Sequence, residues 1–345
     1  MKNSYLIGNV TASGAVIPLV STKLNSSDFF GAIMVRCGIN RNNYRVTPGL
    51  YATGKPGRES DVFVTANYKL SFDALRKNLS GVNGWIMVLD TKGVNVWCAA
   101  GKGTFGTKEL VSRLSQVSLD KIVDHRRLIL PQLGATGVAA HKVKEETGFN
   151  VHYGPVRATD IKKFIGDGYR ADKEMRKVSF GIKDRAKLIP NDFIYGKFYL
   201  LGAMAVLFLI SGVSSHGLSY KNFSVEGGPV ILKVFLAYFA GIVITPLFLP
   251  YIPSRYFSLK GFYAGTLIFL ILLLTRFAGN NFIEIFSWFL IITTISSFLA
   301  MNFTGSSTYT SLSGVKKEMK ISVPFQIGFA SIGIILQVVE KFIYS

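Results

Sequence analysis

Beyond about residue 197 the chain changes character. Five apolar stretches follow one another, at about 197–216, 230–252, 260–276, 281–301 and 322–342. Each approaches the ~17–25 residues a helix needs to cross a bilayer. A water-soluble core has no use for five such runs in series, and in lipid only helices or closed barrels satisfy every backbone polar group. The sequence therefore predicts an all-α membrane domain of five transmembrane helices over 197–345. The overall hydrophobic content of 49% averages this half with a charged, mixed one.

Lys and Arg placement sets the orientation. If the first half is cytoplasmic, the second and fourth connections share its side, and they carry Arg255 with Lys260, and Lys316, Lys317 and Lys320. The outer connections carry Lys221 and Arg276. The expectation is a multi-pass protein of a bacterial or archaeal cytoplasmic (inner) membrane, with its carboxyl terminus outside. The loop 302–311 then lies on the side of the first domain. Glu284 falls inside the fourth stretch, where an acid is a functional hypothesis; its place near the outer end gives the simpler reading, a side chain that reaches water. The first thirty residues have no basic region followed by an apolar core, so no signal peptide is expected.

Up to about residue 196 the chain carries 29 Lys and Arg against 16 Asp and Glu, +13 of the net +19. Such a surface suits anionic lipid, acidic partners or nucleic acid. The reading adopted is a cytoplasmic domain held against membrane lipid, with no nucleic acid as partner. Two cysteines, Cys37 and Cys98, rule out a disulfide scaffold and an internal iron–sulfur cluster. No zinc-type spacing occurs.

Within this half, residues 1–30 are rich in Ser, Thr and Asn and read as an irregular lead-in. Strands follow at 49–54, 61–67, 84–90, 127–131 and 150–156. Helices alternate with them at 71–79 (Ser71 as N-cap), 107–117, 138–147 (stopped by Gly148) and 158–165. This alternation predicts a parallel, doubly wound α/β sheet over 1–165. Residues 166–196 read as a charged juxtamembrane linker.

The stretch Asn95-Val96-Trp97-Cys98-Ala99-Ala100-Gly101-Lys102 follows the apolar strand 84–90 and precedes the 107–117 helix. Ligands in open α/β sheets bind at such carboxyl ends of strands. Gly101-x-Gly103-x-x-Gly106 formally matches the dinucleotide fingerprint, but the acidic residue due about 20 positions later has only Asp120 and Asp124 as candidates, on no strand end. A phosphate turn has no need of a Trp-Cys pair. Gly106-Thr107-Lys108 is in the wrong order for a Walker A loop. Cys98 admits three readings: a buried structural thiol; a nucleophile, which wants a histidine and has none near in sequence; or a metal-ligating thiolate, favoured by a helix N-terminus and by Lys102. Its small Gly and Ala neighbours let a flat, bulky cofactor approach the backbone. Cys37 reads as structural. His125, His141, His152 and His216 form no metal pair at helical spacing, and none sits in the Asp-x-His-x-x-Gly segment of domains that bind B12 through histidine.

The octapeptide 95–102 resembles the signature of the mercury-methylating corrinoid proteins, membrane-anchored relatives of the large subunit of the corrinoid iron–sulfur protein of acetyl-CoA metabolism. The resemblance extends over the α/β half, the linker and the helical tail with Asn-Phe-Thr-Gly-Ser-Ser-Thr at 302–308. It implies a Rossmann-like corrinoid-binding domain in an anaerobe, holding a cobalamin-type corrinoid base-off. Cys98, on a short helix capping the ring, would be the lower axial ligand of cobalt and the catalytic residue. Asn95, Val96, Trp97, Ala99, Gly101 and Lys102 would surround the ring, with Thr65, Ser71, Gly134, Ala135 and Ala158 on the rim of strand-to-helix turns. The implied activity is that of a methyltransferase: methyl from a methyl-folate or a methylated protein passes to an Hg(II)–thiol substrate. A ferredoxin-like protein with two [4Fe–4S] clusters would be the reductant. A thiolate trans to methyl donates charge and tunes the cofactor towards such transfer. Two other readings remain: a membrane-bound corrinoid methyl carrier of one-carbon or acetyl-CoA metabolism, and a nucleotide-binding regulator of a transporter-like membrane domain.

Overall fold

The computed structural model describes residues 4–303 and 312–344. The chain divides into two compact units, Met1–Val178 and Ser179–Ser345.

The first unit is built on a seven-stranded sheet. Its strands are β1 (Leu6–Ala12), β2 (Ala15–Val20), β3 (Gly49–Thr53), β4 (Val62–Ala66), β5 (Gly84–Leu89), β6 (Arg127–Leu130) and β7 (Asn150–Tyr153), in the spatial order β1-β2-β3-β5-β4-β6-β7. The expected irregular lead-in is instead a β-hairpin followed by helix α1 (Ser26–Arg36). Ser13 and Gly14 turn the hairpin with φ of 50° and 81°. Val10, Ala12, Ile17 and Leu19 face one core from half-exposed strands, and Val20 is buried in another. Asn25 and Asp28 form a reciprocal capping box at the start of α1.

The sheet is mixed rather than wholly parallel. β5, β4, β6 and β7 run parallel, whereas β3 is antiparallel to β5 and β1 to β2. The segment 54–61 between β3 and β4 is too short for the crossover of a dozen or more residues that a parallel connection needs, so the chain reverses. β4 and β5 and most of β6 are buried on both faces, as their near-continuous apolar runs require, whereas β7 at the edge is only half-buried. Val64, Met87 and Leu130 face a core with Leu110 and Leu114 of α4 (Thr107–Gln116) and Val143 of α6 (Ala140–Thr147). Phe63, Ile86 and Ile129 face a second core with Phe72 of α2 (Lys69–Asn78) and Phe164 of α7 (Ile161–Gly166). Between β5 and α4 lies α3 (Val96–Gly101), and after α4 comes α5 (Leu119–Ile122).

Two boundaries move for physical reasons. α2 begins at Lys69, with Tyr68 at the N-cap and no side-chain cap, so Ser71 lies inside its first turn. Lys69 opens the helix with its ammonium held by Asp28 and Asp73, which offsets the cost of a cation at the positive end of the helix dipole. The unit also continues past residue 165. Tyr169 donates to Asp61 at 3.0 Å and Met175 is buried in the second core, so the segment after α7 packs back onto the domain.

The second unit is all helical apart from a two-residue hairpin, among the described residues. Residues 179–196, expected as linker, contain α8 (Ile182–Ala186) and α9 (Ile189–Tyr195). α10 (Lys197–Ser211) ends at Gly212, where strands β8 (Val213–Ser214) and β9 (Gly217–Leu218) pair, so the first apolar stretch gives only 15 helical residues. The segment Ile182–Tyr195, which holds α8 and α9, meets α10 at a bend of 53°, and the two count as one span only together. α11 (Tyr220–Phe239) continues through a π turn (Ala240–Ile244) into α12 (Thr245–Leu247). The combined helix Tyr220–Leu247 starts well before the expected residue 230. α13 (Phe257–Leu274), α14 (Phe282–Asn302) and α15 (Leu312–Ile343) complete the unit. Among the described residues four helices are long and apolar enough to cross a membrane, or up to five if the bent pair is one span. Residues 304–311, most of the loop singled out above, lie outside the described residues.

Small residues bring α13 and α14 together. A Cβ on Gly261 would stand 2.5 Å from Ser296 O, and one on Gly265 would stand 3.0 Å from Thr293 Cα. Glu284 does not stand free in water: it accepts from the Asn280 N–H at 2.8 Å and pairs with Lys233 at 3.4 Å.

Candidate functional site

The strand order places a switch point between β4 and β6. The chain leaves β4 to one side through α2 to reach β5, then crosses back over β4 through α3 and α4 to reach β6. Open α/β sheets bind ligands in the crevice outside the carboxyl ends of strands at such a point. A cleft of ≈ 310 Å³ lies there. Thr65 at the end of β4 and Leu130 and Pro131 at the end of β6 form its floor, and α2, α3 and the turn into α7 form its walls.

Asn67, 1% exposed, fixes the approach to α3. Its Oδ1 accepts from the Thr91 N–H (3.1 Å), the Thr91 hydroxyl (2.8 Å) and the Gly93 N–H (2.9 Å), while its amide group donates to Asp90 at 3.0 Å. Glu109 of α4 accepts from the Asp90 N–H at 2.8 Å and is itself held by Arg113. The turn after β5 is thus pinned from both flanking elements. Asn95 then caps α3, accepting from the Cys98 N–H at 2.9 Å. Ala99 and Ala100 anchor the helix in the core, and Cys98 stands on its exposed side.

The glycines here cap and pack. Gly103, at φ 78°, ends α3 with its N–H on Ala100 O, and Gly106 is the N-cap of α4. They follow a helix rather than a strand end, which removes the dinucleotide-fingerprint reading. Gly134 lies under the Phe105 ring, which a Cβ would meet at 2.5 Å.

Of the residues singled out from sequence, Thr65, Ser71, Asn95, Val96, Trp97 and Ala158 line the cleft together. Cys98, Gly101 and Lys102 are exposed on α3 and its C-cap beside it. Ala99 is fully buried, and Gly134 is buried beneath Phe105; Ala135 follows in the 3₁₀ turn Gln132–Gly134 as its C-cap. Reasoning from sequence missed Asn67, for which the available signal was an asparagine at the carboxyl end of a buried strand. It also missed the apolar floor and wall residues Pro131, Pro155 and Val156, which only the strand order brings together.

The histidines lie elsewhere. His125 contacts Ser60 O, and His152 sits beside Tyr169, its imidazole pushed below the usual range by burial and by Arg127. No group of three or more His, Cys, Asp or Glu among the described residues could hold a metal ion. The site can therefore offer a metal one thiol, not a cage. That donor set fits a metal that a cofactor already holds and that needs only one donor from the protein. The cleft fits a ring edge too: it is mostly apolar, and the Thr65 and Ser71 hydroxyls that line it have no hydrogen-bond partner among the described residues.

A family model described as CO dehydrogenase/acetyl-CoA synthase delta subunit matches residues 33–165. That stretch holds β3 to β7 and the whole cleft. The acetyl-CoA decarbonylase/synthase complex subunit gamma of Archaeoglobus fulgidus is 32% identical over 127 residues, 36% of this chain and 27% of that protein. The corrinoid/iron-sulfur protein large subunit of Moorella thermoacetica is 30% identical over 122 residues, 35% of this chain and 27% of that protein. The α/β unit is similar to corrinoid-protein subunits. The chain spans about a quarter of the length of these curated relatives, and the matched 33–165 stretch stops short of the helical unit.

Proposed function

We propose that the α/β unit is a corrinoid-binding methyl carrier, that the helical unit holds it at a membrane, and that its acceptor is Hg(II). The observation that carries the reading is an exposed thiol, Cys98, on a short, capped helix that walls the switch-point cleft. A corrinoid supplies a cobalt centre that carries a methyl group and can release it to an electrophile such as Hg(II) with its bonding electrons. The protein's part is holding and tuning. Cys98 would hold cobalt as a thiolate donor. Asn95 and Asn67 hold α3 still. Val96 and Trp97 exclude water from one side of the cleft, and Thr65, Ser71 and Ala158 meet the rim of the ring.

Mercury as acceptor is supported by the octapeptide 95–102. A methyl-folate or a methylated protein would supply methyl, and a ferredoxin-like protein with two [4Fe–4S] clusters would supply electrons, docking on the basic face of the unit. The unit would face the cytoplasm, with the carboxyl terminus outside. A second reading keeps the carrier and changes the acceptor. The relatives named above are subunits of an acetyl-CoA decarbonylase/synthase complex and a corrinoid/iron-sulfur protein, which favours a carrier in one-carbon metabolism.

The test uses the full-length protein, purified, loaded with a methylcorrinoid and given an Hg(II)–thiol complex. The wild type should show the visible bands of a bound corrinoid and form methylmercury. Cys98→Ala should slow transfer at least about tenfold, which corresponds to ~1.4 kcal/mol of barrier, while the α/β unit still folds. A colourless wild type sinks the corrinoid reading. A coloured protein that forms no methylmercury leaves the one-carbon reading, and an unchanged rate in Cys98→Ala removes the ligand.

A further inference from the structure

Thr294 on α14 and Gln326 on α15 are 8% and 7% exposed. Thr294 Oγ1 and Gln326 Oε1 nevertheless have no hydrogen-bond partner. The other end of the Gln326 amide donates to Ser297 Oγ at 2.7 Å. Turning the amide over leaves one end unpaired all the same. Unpaired buried polar atoms are costly and rare in folded proteins, so two on residues that line the same cavity point to a group that meets them.

There are two such cavities, of ≈ 450 Å³ and ≈ 330 Å³, and both residues line both. The larger is flanked by Tyr256, Phe262, Phe325 and Phe329. Phe325, Ile321 and Leu259 at its edge are exposed, on helices apolar enough to span a bilayer, so it opens sideways towards lipid. Glu318, the one carboxylate among its described lining residues, already accepts from the Ser258 N–H at 2.6 Å. Among those residues no unpaired charge awaits an ionic headgroup. An acyl chain would fill the volume and leave both polar atoms unpaired. A flat, uncharged ring bearing oxygens satisfies the aromatic walls and the polar pair together.

We propose that the larger cavity binds a quinone or quinol drawn from the bilayer, its ring oxygens hydrogen-bonded to Thr294 and Gln326. A quinone carbonyl takes the Thr294 hydroxyl or the amide N–H, and a quinol hydroxyl donates to Gln326 Oε1. The proposal rests on the bilayer placement of these helices and not on the corrinoid reading.

The test begins with the full chain extracted from cell membranes and placed in nanodiscs of phosphatidylethanolamine and phosphatidylglycerol. A naphthoquinone with a short isoprenoid tail is then titrated in. The wild type should retain it near-stoichiometrically, and its unfolding temperature should rise with quinone concentration. Thr294→Val removes only an unpaired hydroxyl. Without quinone it should be at least as stable as the wild type, yet bind quinone about tenfold more weakly. Gln326→Leu should weaken quinone binding more strongly still, and because it also gives up the hydrogen bond to Ser297 its stability without quinone should fall. Binding unchanged in both variants, or a wild type that carries only phospholipid and gains no stability from quinone, overturns the proposal. A chain recovered from the soluble fraction removes the bilayer placement, and this proposal with it.

Discussion

The most deeply buried charges of the α/β unit and the neutral polar groups around the helical unit's cavities are treated differently. In the α/β unit, Asp28, Asp73 and Arg76 are almost wholly buried, and their charges are matched group by group. Lys69 pairs with Asp28 at 2.6 Å and with Asp73 at 2.7 Å, and Arg76 reaches both carboxylates at 2.7 Å. The remaining guanidinium nitrogen of Arg76 donates to Ser21 O and Lys23 O, and the Tyr5 ring lies 5.2 Å from the Lys69 ammonium. The cluster fastens α1 and the end of β2 to α2. In the helical unit, polar side chains such as Ser287 and Gln337 join neighbouring helices, but Thr266, Thr294 and Gln326 each keep an atom without a partner. Matched charges in one unit read as a structural lock. Unmatched neutral groups beside a cavity in the other read as a place for something else.

The contrast breaks first at Arg76. Replacing it with alanine leaves Asp28 and Asp73 as buried like charges with Lys69 alone between them, and losing one partner of a buried pair costs about 3–5 kcal/mol. Denaturant unfolding of the full chain, followed through the α/β transition, measures it. Hydrogen exchange should show α1 opening first. A loss below about 1 kcal/mol would mean that the cluster behaves as an exposed pair does.

Asn67→Ala comes next. It removes three accepted hydrogen bonds from the turn before α3 and leaves buried donors at Thr91 and Gly93, for about 1–3 kcal/mol. The diagnostic readout is local: amide exchange at Thr91, Gly93 and Cys98 should accelerate while β4 and β5 stay protected. Uniform acceleration would make Asn67 a general core residue rather than the group that holds α3.

Much of the α/β unit was legible because its signals are local. The buried strands Val62–Ala66 and Gly84–Leu89 announce themselves as apolar runs, Gly148 stops α6 at φ 75°, and α3 carries its own cap in Asn95. The first hairpin was not legible, since its strands are half exposed and only Ile17 and Val20 are buried in β2. The cleft was legible only in part. Thr65, Ser71 and Trp97 could be picked as members of turns, but that they share one cavity follows from β6 lying beside β4, a non-local fact. Gly134 looked like a loop residue because nothing in its neighbourhood reveals Phe105 above it. In the helical unit, length and apolarity pointed to the long helices, but not to the π turn at Ala240–Ile244 or the early end of α10 at Ser211.

The smallest expected effect is a pH dependence confined to the locked unit. Burial by itself raises the pKa of Asp28, but Lys69, the Asn25 N–H and Arg76 together hold it below the ordinary carboxylate value. A carboxyl whose folded pKa is depressed adds stability that is fully present above its unfolded value of about 3.9 and is lost as pH falls through the folded value. The α/β transition should therefore be level in this respect from neutral pH down to about 5, and then fall. Asp28→Asn keeps the shape and removes the titration. It should start lower at neutral pH, because Lys69 and Arg76 lose a charged partner, and its acid limb should be shallower than that of the wild type. Thermal scans of both proteins from pH 7 to pH 3, followed by near-ultraviolet circular dichroism of the tyrosines around the cluster, make the comparison. Parallel acid limbs would assign the pH dependence to other carboxylates and leave Asp28 a hydrogen-bonding group whose charge adds nothing. The helical unit gives the internal control: Thr294 and Gln326 do not titrate, so their variants should shift its transition by the same amount at every pH in the scan.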